Sequence, residues 1–307
     1  MKNNRKTLED RFRLLIEDHE DFFTYSKKPL RRSIRVNTLK TTKPEAVNSL
    51  RNQGFRLRQI PWTPIGFWVE GSGLSETLEY FLGHYYLQES STMIPPEVLN
   101  PTIEDFVLDV ASAPGGKTTH MAALMENKGC IIANEVDAKR LAALRFNLSK
   151  HGVLNSIVTL NDLSRPQGLK QKFSRILLDA PCSCEGQFRK NPQSLEQWSV
   201  KKILRCSKLQ KRMITNALSL LEEGGVLVYS TCTLAPEENE EVIDFALRKD
   251  SSLTVEPFGR QEFKYRQGIT EWYGEKYSQE VANCARVYSQ DNDSEGFFMA
   301  KIVKCGR

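Results

Sequence analysis

From Phe106 onward, short apolar runs alternate with longer amphipathic stretches, and this rhythm constrains the fold more than any other feature of the chain. Residues 106–110, 130–133, 157–160, 176–179 and 225–230 read as strands, because each is a brief run rich in Val, Ile and Leu. Helical stretches are expected at 117–125, 137–150 and 200–221. The second sets Leu141, Leu144 and Leu148 on one stripe, and the third is expected to bury Cys206, Leu209, Met213, Ala217 and Leu220. Pro236 is expected to open a further helix whose first turn carries Glu237, Glu238, Glu240 and Glu241 at the positive end of its dipole, and 297–303 reads as a last strand. Strands joined by helices pack as a parallel α/β sheet covered on both faces. Ligands of such a sheet bind beyond the C-terminal ends of its strands.

Residues 1–100 have a different texture. A helical start at 8–16 leads to a strand in which Ile34, Val36 and Thr38 alternate. A helix over 43–52 follows, with Pro44 near its start and Gly54 past its end, then strands and turns over 55–69. The expected organisation is an N-terminal α+β domain over 1–100 and a larger α/β domain over 101–307.

The first 13 residues are charged, without the apolar centre of a secretory signal. No run approaches the ~20 apolar residues that cross a bilayer. A cytoplasmic protein without a membrane partner is expected. Seven scattered cysteines do not make a disulfide framework, so the question becomes which thiols react. Cys130, Cys206, Cys284 and Cys305, with apolar or mixed neighbours, are expected to pack. The net charge of +5 is unevenly placed: ten basic residues against Glu45 alone lie between Lys27 and Arg58. That excess suits a polyanion, since each contacted phosphate releases counterions.

Two chemistries compete for the loop after the first large-domain strand, which runs from Asp109 through Pro114, Gly115 and Gly116 to Lys117 and Thr118. It misses a triphosphate-binding loop by one residue, Ala111 standing where that pattern requires glycine. Alanine does not freely take a positive φ, and Pro114 removes an N–H from a loop that would have to wrap phosphate with N–H groups. A loop around the nucleoside of S-adenosylmethionine fits better, with Glu135 at the next strand end placed for a ribose diol and Asp162 after the third for an adenine amine.

Cys182 and Cys184 follow the fourth strand, and Cys232 follows the fifth. Zinc is not expected there, because the spacing lacks a C-x₂₋₄-C pair and a fourth ligand. Two thiols at neighbouring strand ends suit methylation at a pyrimidine C5. One adds to C6 and makes C5 enamine-like, able to attack a sulfonium methyl group; another group must then remove the C5 proton. Asp179 stands where it can hold the base at N3 and the exocyclic amine, and the Pro181 carbonyl can accept from that amine.

These residues resemble the NOL1/NOP2/Sun family of RNA cytosine-5 methyltransferases, over nearly the whole chain. The loop 109–117, Asp179–Ala180–Pro181–Cys182–Ser183 and Ser230–Thr231–Cys232–Thr233 carry the likeness. Within the family, Ile60–Pro61–Trp62, Gly66–Phe67–Trp68 and Glu295–Gly296–Phe297–Phe298 look like the bacterial 16S rRNA methyltransferase F branch. The resemblance implies a Rossmann-like fold, Cys232 as nucleophile, and Cys182 releasing the adduct. It implies donor contacts from Ala111, Ser112, Ala113, Pro114, Gly115, Gly116, Lys117, Glu135, Arg140, Asp162 and Asp179, with Lys117 also reaching toward the base. The implied partner is RNA, 16S rRNA first and tRNA as the alternative, with Arg31, Arg32, Arg35, Asn37, Lys40 and Lys190 along its path. A monomer without a metal is expected. Cys184 stands where the family usually has glycine. The branch often continues into a C-terminal RNA-binding domain of the PUA type, which this chain is expected to lack. A nucleotide triphosphatase and a non-catalytic RNA-binding factor are the rival readings.

Overall fold

A computed structural model of the chain describes residues 2–165, 171–257, 259 and 262–306. Two helices, α1 (Lys2–Leu15) and α2 (His19–Ser26), open it. The strands β1 (Ser33–Val36), β2 (Arg56–Gln59), β3 (Gly66–Glu70) and β4 (Tyr85–Leu87) then form an antiparallel sheet in the order β2-β3-β1-β4. Helix α3 (Lys43–Asn52) packs on it through Ala46, Val47 and Leu50. Its start is set by a reciprocal cap: Thr42 accepts from the Glu45 amide, and the Glu45 carboxylate accepts from the Thr42 amide. Strand β1 stops at Val36, so Thr38 falls in the turn beyond it. Two short helices, α4 (Leu78–Leu82) and α5 (Ile94–Leu99), lead out of this unit.

The larger unit holds β5 (Phe106–Asp109), α6 (Gly116–Leu124), β6 (Cys130–Glu135), α7 (Ala138–Lys150), β7 (Ser156–Leu160), β8 (Phe173–Asp179), α8 (Val200–Leu220), β9 (Leu221–Thr231) and α9 (Glu240–Lys249). It continues through β10 (Leu253–Glu256), β11 (Arg266–Gln267), a hairpin of β12 (Glu271–Trp272) and β13 (Glu275–Lys276), β14 (Ala285–Val287), α10 (Ser289–Asn292) and β15 (Phe297–Lys304). Its main sheet runs β7-β6-β5-β8-β9-β15-β14-β11, with β10 also paired to β15. The strands from β7 to β9 are parallel, and β15 is antiparallel to β9. The chain order reverses between β5 and β8, the point at which ligands bind in open sheets of this kind.

One face of the sheet is covered by α8 and α9 through Met213, Ile214, Ala217, Val242 and Ile243. On the other, α5 and α6 meet Val107, Val228 and Phe297 in a core that also takes Trp62 and Trp68 from the small unit. The two indoles pack edge to face with centroids 5.4 Å apart. Burying each contributes at most roughly 5 kcal/mol, so the two sheets share one apolar seam. Helices α1 and α2 pack through Phe12 and Phe22 against Phe188, Trp198, Leu234 and Tyr288 of the larger unit. Among the described residues no helix is long and apolar enough to cross a membrane.

Three expectations about local structure need correction. Helix α8 is rotated: Ile203, Ser207, Gln210, Ile214 and Leu218 join Met213 and Ala217 on its buried side, while Cys206, Leu209 and Leu220 are only partly covered. Pro236 starts a single 3₁₀ turn rather than the helix, which begins at Glu240. Glu237, Glu238 and Glu240 are buried as partners of side chains, Glu237 with Arg11 and Glu240 with Arg286, so the dipole is not what places them there. Cys305 is exposed rather than packed, whereas Cys284 is buried as expected.

Candidate functional site

The loop between β5 and α6 is held from three sides. Asn134, buried on β6, donates to the carbonyls of Val110 and Asn161 at 3.0 Å each and so ties three strand ends together. Arg140 donates to the Ala113 carbonyl, and Asn147 to that of Pro114 at 2.8 Å. Gly115 enters α6 with φ +106°, which a side chain would resist. Asp109 is fully enclosed and accepts from Thr118 at 2.7 Å; burial pushes its carboxyl up to about 7.

Beyond this loop lies a cleft of about 240 Å³, lined by Ala111, Glu135, Asp162, Asp179, Cys182 and Cys232 among others. Glu135 is buried; one carboxylate oxygen accepts from the amides of Val136 and Asp137, while the other has no hydrogen-bond partner and lies 3.3 Å from Arg140. An enclosed acceptor left open beside a glycine-bearing loop fits a vicinal diol. Asp162 is steadied by Ser164 and Arg165 at the cleft's edge.

Lys117 does not face an empty phosphate cradle. Its ammonium lies 2.6 Å from Asp179, whose other oxygen accepts from Ser230 at 2.8 Å. This ion pair uses the lysine that a triphosphate loop would need, and with Ser230 it joins α6, β8 and β9.

The two cysteine loops are brought together by backbone contacts. Gly186 donates to the Cys232 carbonyl at 2.9 Å, and a Cβ there would meet the Gly296 carbonyl oxygen at 2.1 Å, so only glycine allows the approach. Buried Glu238 accepts from the Ser183 amide at 3.0 Å and from Gln210 at 2.9 Å; Gln210 also donates to the Pro181 carbonyl, taking one of the lone pairs expected to face a substrate amine. The result is a Cys182–Cys232 sulfur separation of 3.1 Å. Cys184 lies 4.0 Å from Cys182, at a backbone φ of +67°. Three thiols this close cannot all ionise. Contact with Cys184 and Cys232, then burial, raises Cys182. For Cys232 the contact with Cys182 pulls down, but the Cys184 contact and burial outweigh it. Cys184 itself is drawn down by its sulfur neighbours.

A second cleft of about 220 Å³ adjoins the first and shares Ala111, Ala113, Asp179 and Gln187 with it. Lys190 and Glu295 wall its far side. Both oxygens of the buried Glu295 carboxyl lack hydrogen-bond partners, and burial beside Glu89 pushes it up to about 8. Lys190 also borders a groove lined by Arg31, Arg32 and Ser33. The basic residues expected along a polyanion path therefore divide. Arg31, Arg32 and Lys190 line that groove, although Arg31 is paired with Asp293 at 2.6 Å.

Arg35 and Asn37 do not reach it, and the expectation that they touch phosphate is corrected. Arg35 is wholly buried and donates to Gln88, the Gly116 carbonyl and Thr119. Asn37 is buried and donates to the carbonyls of Gly83 and His151. Lys40 caps the Leu82 and Lys150 carbonyls. No sequence signal gives Asn134, Gln210, Glu238 or Glu295 a place in the site: Glu238 reads as a helix-start acid and Glu295 as part of a family-like run, and only their tertiary partners mark all four. A further cavity of about 560 Å³ lies between α1, α2 and Phe188, is mostly apolar, and contains none of these groups.

Comparison with known proteins adds independent findings. Residues 96–303 match the family described as 16S rRNA methyltransferase RsmB/F, and residues 6–90 match the N-terminal domain of 16S rRNA methyltransferase RsmF. The chain is 45% identical over 306 residues to a tRNA (cytosine(49)-C(5))-methyltransferase of Pyrococcus abyssi, covering 99% of this chain and 97% of that one. It is 41% identical to the ribosomal RNA small subunit methyltransferase F of Shewanella woodyi, covering 93% of this chain but spanning only 59% of that protein's length. It is also similar to a crystal structure of NSun6 from Pyrococcus horikoshii with SFG, at a TM-score of 0.84 and 25% identity, with 98% of each chain covered.

Proposed function

The chain belongs to the RsmB/F family of 16S rRNA methyltransferases, and from that premise we propose that it methylates carbon 5 of a cytosine in structured RNA in the cytoplasm, with Cys232 as nucleophile. The observation that carries this reading is the pair of sulfurs 3.1 Å apart, in a cleft shared with the glycine-bearing loop and the half-satisfied Glu135. Residues 111–117, with Glu135, Arg140, Asp162 and Asp179, are the groups that would hold S-adenosylmethionine, and the open oxygen of Glu135 fits its ribose. When bound, that cofactor supplies an electrophilic methyl group.

The rest of the chemistry falls to the chain's own side chains. The target base leaves its stack and enters beside Lys190 and Glu295. Asp179 accepts from the exocyclic amine. The Lys117 ammonium, 2.6 Å from Asp179, steadies the negative charge that the ring gains as Cys232 sulfur bonds to C6. That addition leaves C5 electron-rich. Cys232 and Cys182 each give up their thiol proton to solvent before they act; after methylation the Cys182 thiolate takes the C5 proton, the S–C6 bond breaks, and Cys232 departs as a thiolate with aromaticity restored. Every group used belongs to one copy of the chain.

A tRNA carrying cytosine at position 49 is the first substrate to test, because the 45% identical relative is named for cytosine 49 of tRNA; 16S rRNA is the second. The test is a Cys182→Ala variant incubated with RNA and S-adenosylmethionine. A covalent RNA–protein species should accumulate and vanish when Cys232→Ala is added. Wild-type protein should instead release RNA containing 5-methylcytosine, read by mass spectrometry. Absence of both the trapped species and the product ends the reading.

A further inference from the structure

The cleft holds one thiol more than the proposed reaction uses. Cys184 sits at φ +67°, in the left-handed region that favours glycine, so a side chain is kept there against its conformational cost. Its sulfur lies 4.0 Å from that of Cys182, which is 3.1 Å from that of Cys232, and all three sulfurs fall within 4.8 Å of one another. Among the described residues this is the one group of three potential metal-binding side chains so close together. Tetrahedral zinc, with bonds to sulfur of about 2.3 Å, holds its sulfurs about 3.8 Å apart, a value inside the span found here.

We propose that Cys182, Cys184 and Cys232 form a three-thiolate site for a soft divalent cation, Zn²⁺, with the fourth position open to the cleft. Each thiol passes its proton to solvent as its sulfur–zinc bond forms, and no electron is transferred. The sequence spacing argues against zinc because it lacks a C-x₂₋₄-C pair and a fourth ligand; the fold brings the sulfur at the end of β9 beside the other two, and an open fourth position is a known arrangement for zinc. A bound ion occupies both sulfurs that the methylation needs, so it holds the protein in a reversible off state. Only this inhibitory consequence rests on the proposed function; the site itself does not.

The test titrates the reduced full chain with Cd²⁺, read by its ultraviolet thiolate-to-metal absorption, and then displaces it with Zn²⁺. One Cd²⁺ per chain is expected, displaced by one Zn²⁺. Cys184→Gly, which suits the backbone at that position, and Cys232→Ser should each weaken binding at least about tenfold, whereas Cys305→Ser should leave it unchanged. Equal affinity in Cys184→Gly and wild type, or loss of the band in Cys305→Ser, overturns the site. In a methylation assay Zn²⁺ should inhibit and a chelator should restore activity. Cys184→Gly, normalised to its own rate, should need at least about tenfold more Zn²⁺ for half inhibition. If Cd²⁺ binds as expected but the chain methylates no RNA, the site stands and the proposed function falls.

Discussion

Two buried polar regions lie on either side of the loop between β5 and α6 and are built on opposite principles. Beneath it, Arg35 and Asn37 spend their donors on Gln88, Gly116, Thr119, Gly83 and His151, so the small sheet and the start of α6 are fastened by satisfied hydrogen bonds. Above it, Glu135 and Glu295 keep carboxyl oxygens without hydrogen bonds, and three thiols crowd one another. Buried polar groups with complete partners stabilise and specify a fold; buried polar groups left open cost stability and are retained where a ligand completes them. The first region is structural, and the second holds the groups to which the proposed function assigns cofactor and substrate.

The comparison can be broken most severely at the nucleophile. Cys232→Ala should lower methyl transfer at least about 1,000-fold while leaving the urea midpoint nearly unchanged; a similar loss in Cys305→Ser would show that activity tracks thiol content, not the cleft. On the structural side, Arg35→Met strands the Gln88, Gly116 and Thr119 acceptors and should cost about 3 kcal/mol in chemical denaturation. If the same substitution instead weakened RNA binding at unchanged stability, Arg35 would belong with the phosphate-facing residues after all. The exposed pair Arg32→Ala and Lys190→Ala should do the reverse, leaving stability alone and reducing the slope of log affinity against log salt by about two.

A pH measurement sharpens the contrast within the cysteine scaffold. Glu238 is raised to about 8 by burial, against 4.5 for an ordinary carboxyl. The folded state therefore binds its proton more tightly than the unfolded state. Stability from this group is fully present below 4.5 and is lost as pH rises toward about 8, at up to roughly 1.4 kcal/mol per pH unit. Glu238→Gln should flatten the urea midpoint across that window, and an unaltered pH profile would remove Glu238 from the account. The smallest effect is expected at Cys184→Gly, which should gain about 1 kcal/mol by relieving the left-handed backbone; no gain in melting temperature would mean that packing of the thiol offsets the strain.

Much of this molecule was legible along the chain. Apolar runs of strand length and helical stripes gave the parallel sheet, because those patterns arise from backbone periodicity and need no knowledge of neighbours. The loop ending in Gly115–Gly116–Lys117 and the cysteines after two strands placed the chemistry at one edge, because strand ends in such a sheet converge. What the pattern could not carry was partnership across long separations. Arg32 and Arg35 look alike in a basic segment, yet one reaches a solvent groove and the other is sealed against α6. Gln210 and Glu238 look like surface residues of two helices until they are found holding the Cys182 loop. Local sequence thus determined the elements and the kinds of reactive group. Tertiary structure alone decided which charges are buried, which acceptors stay open, and that three sulfurs rather than two meet, because burial and hydrogen-bond completion depend on residues up to more than 100 positions away.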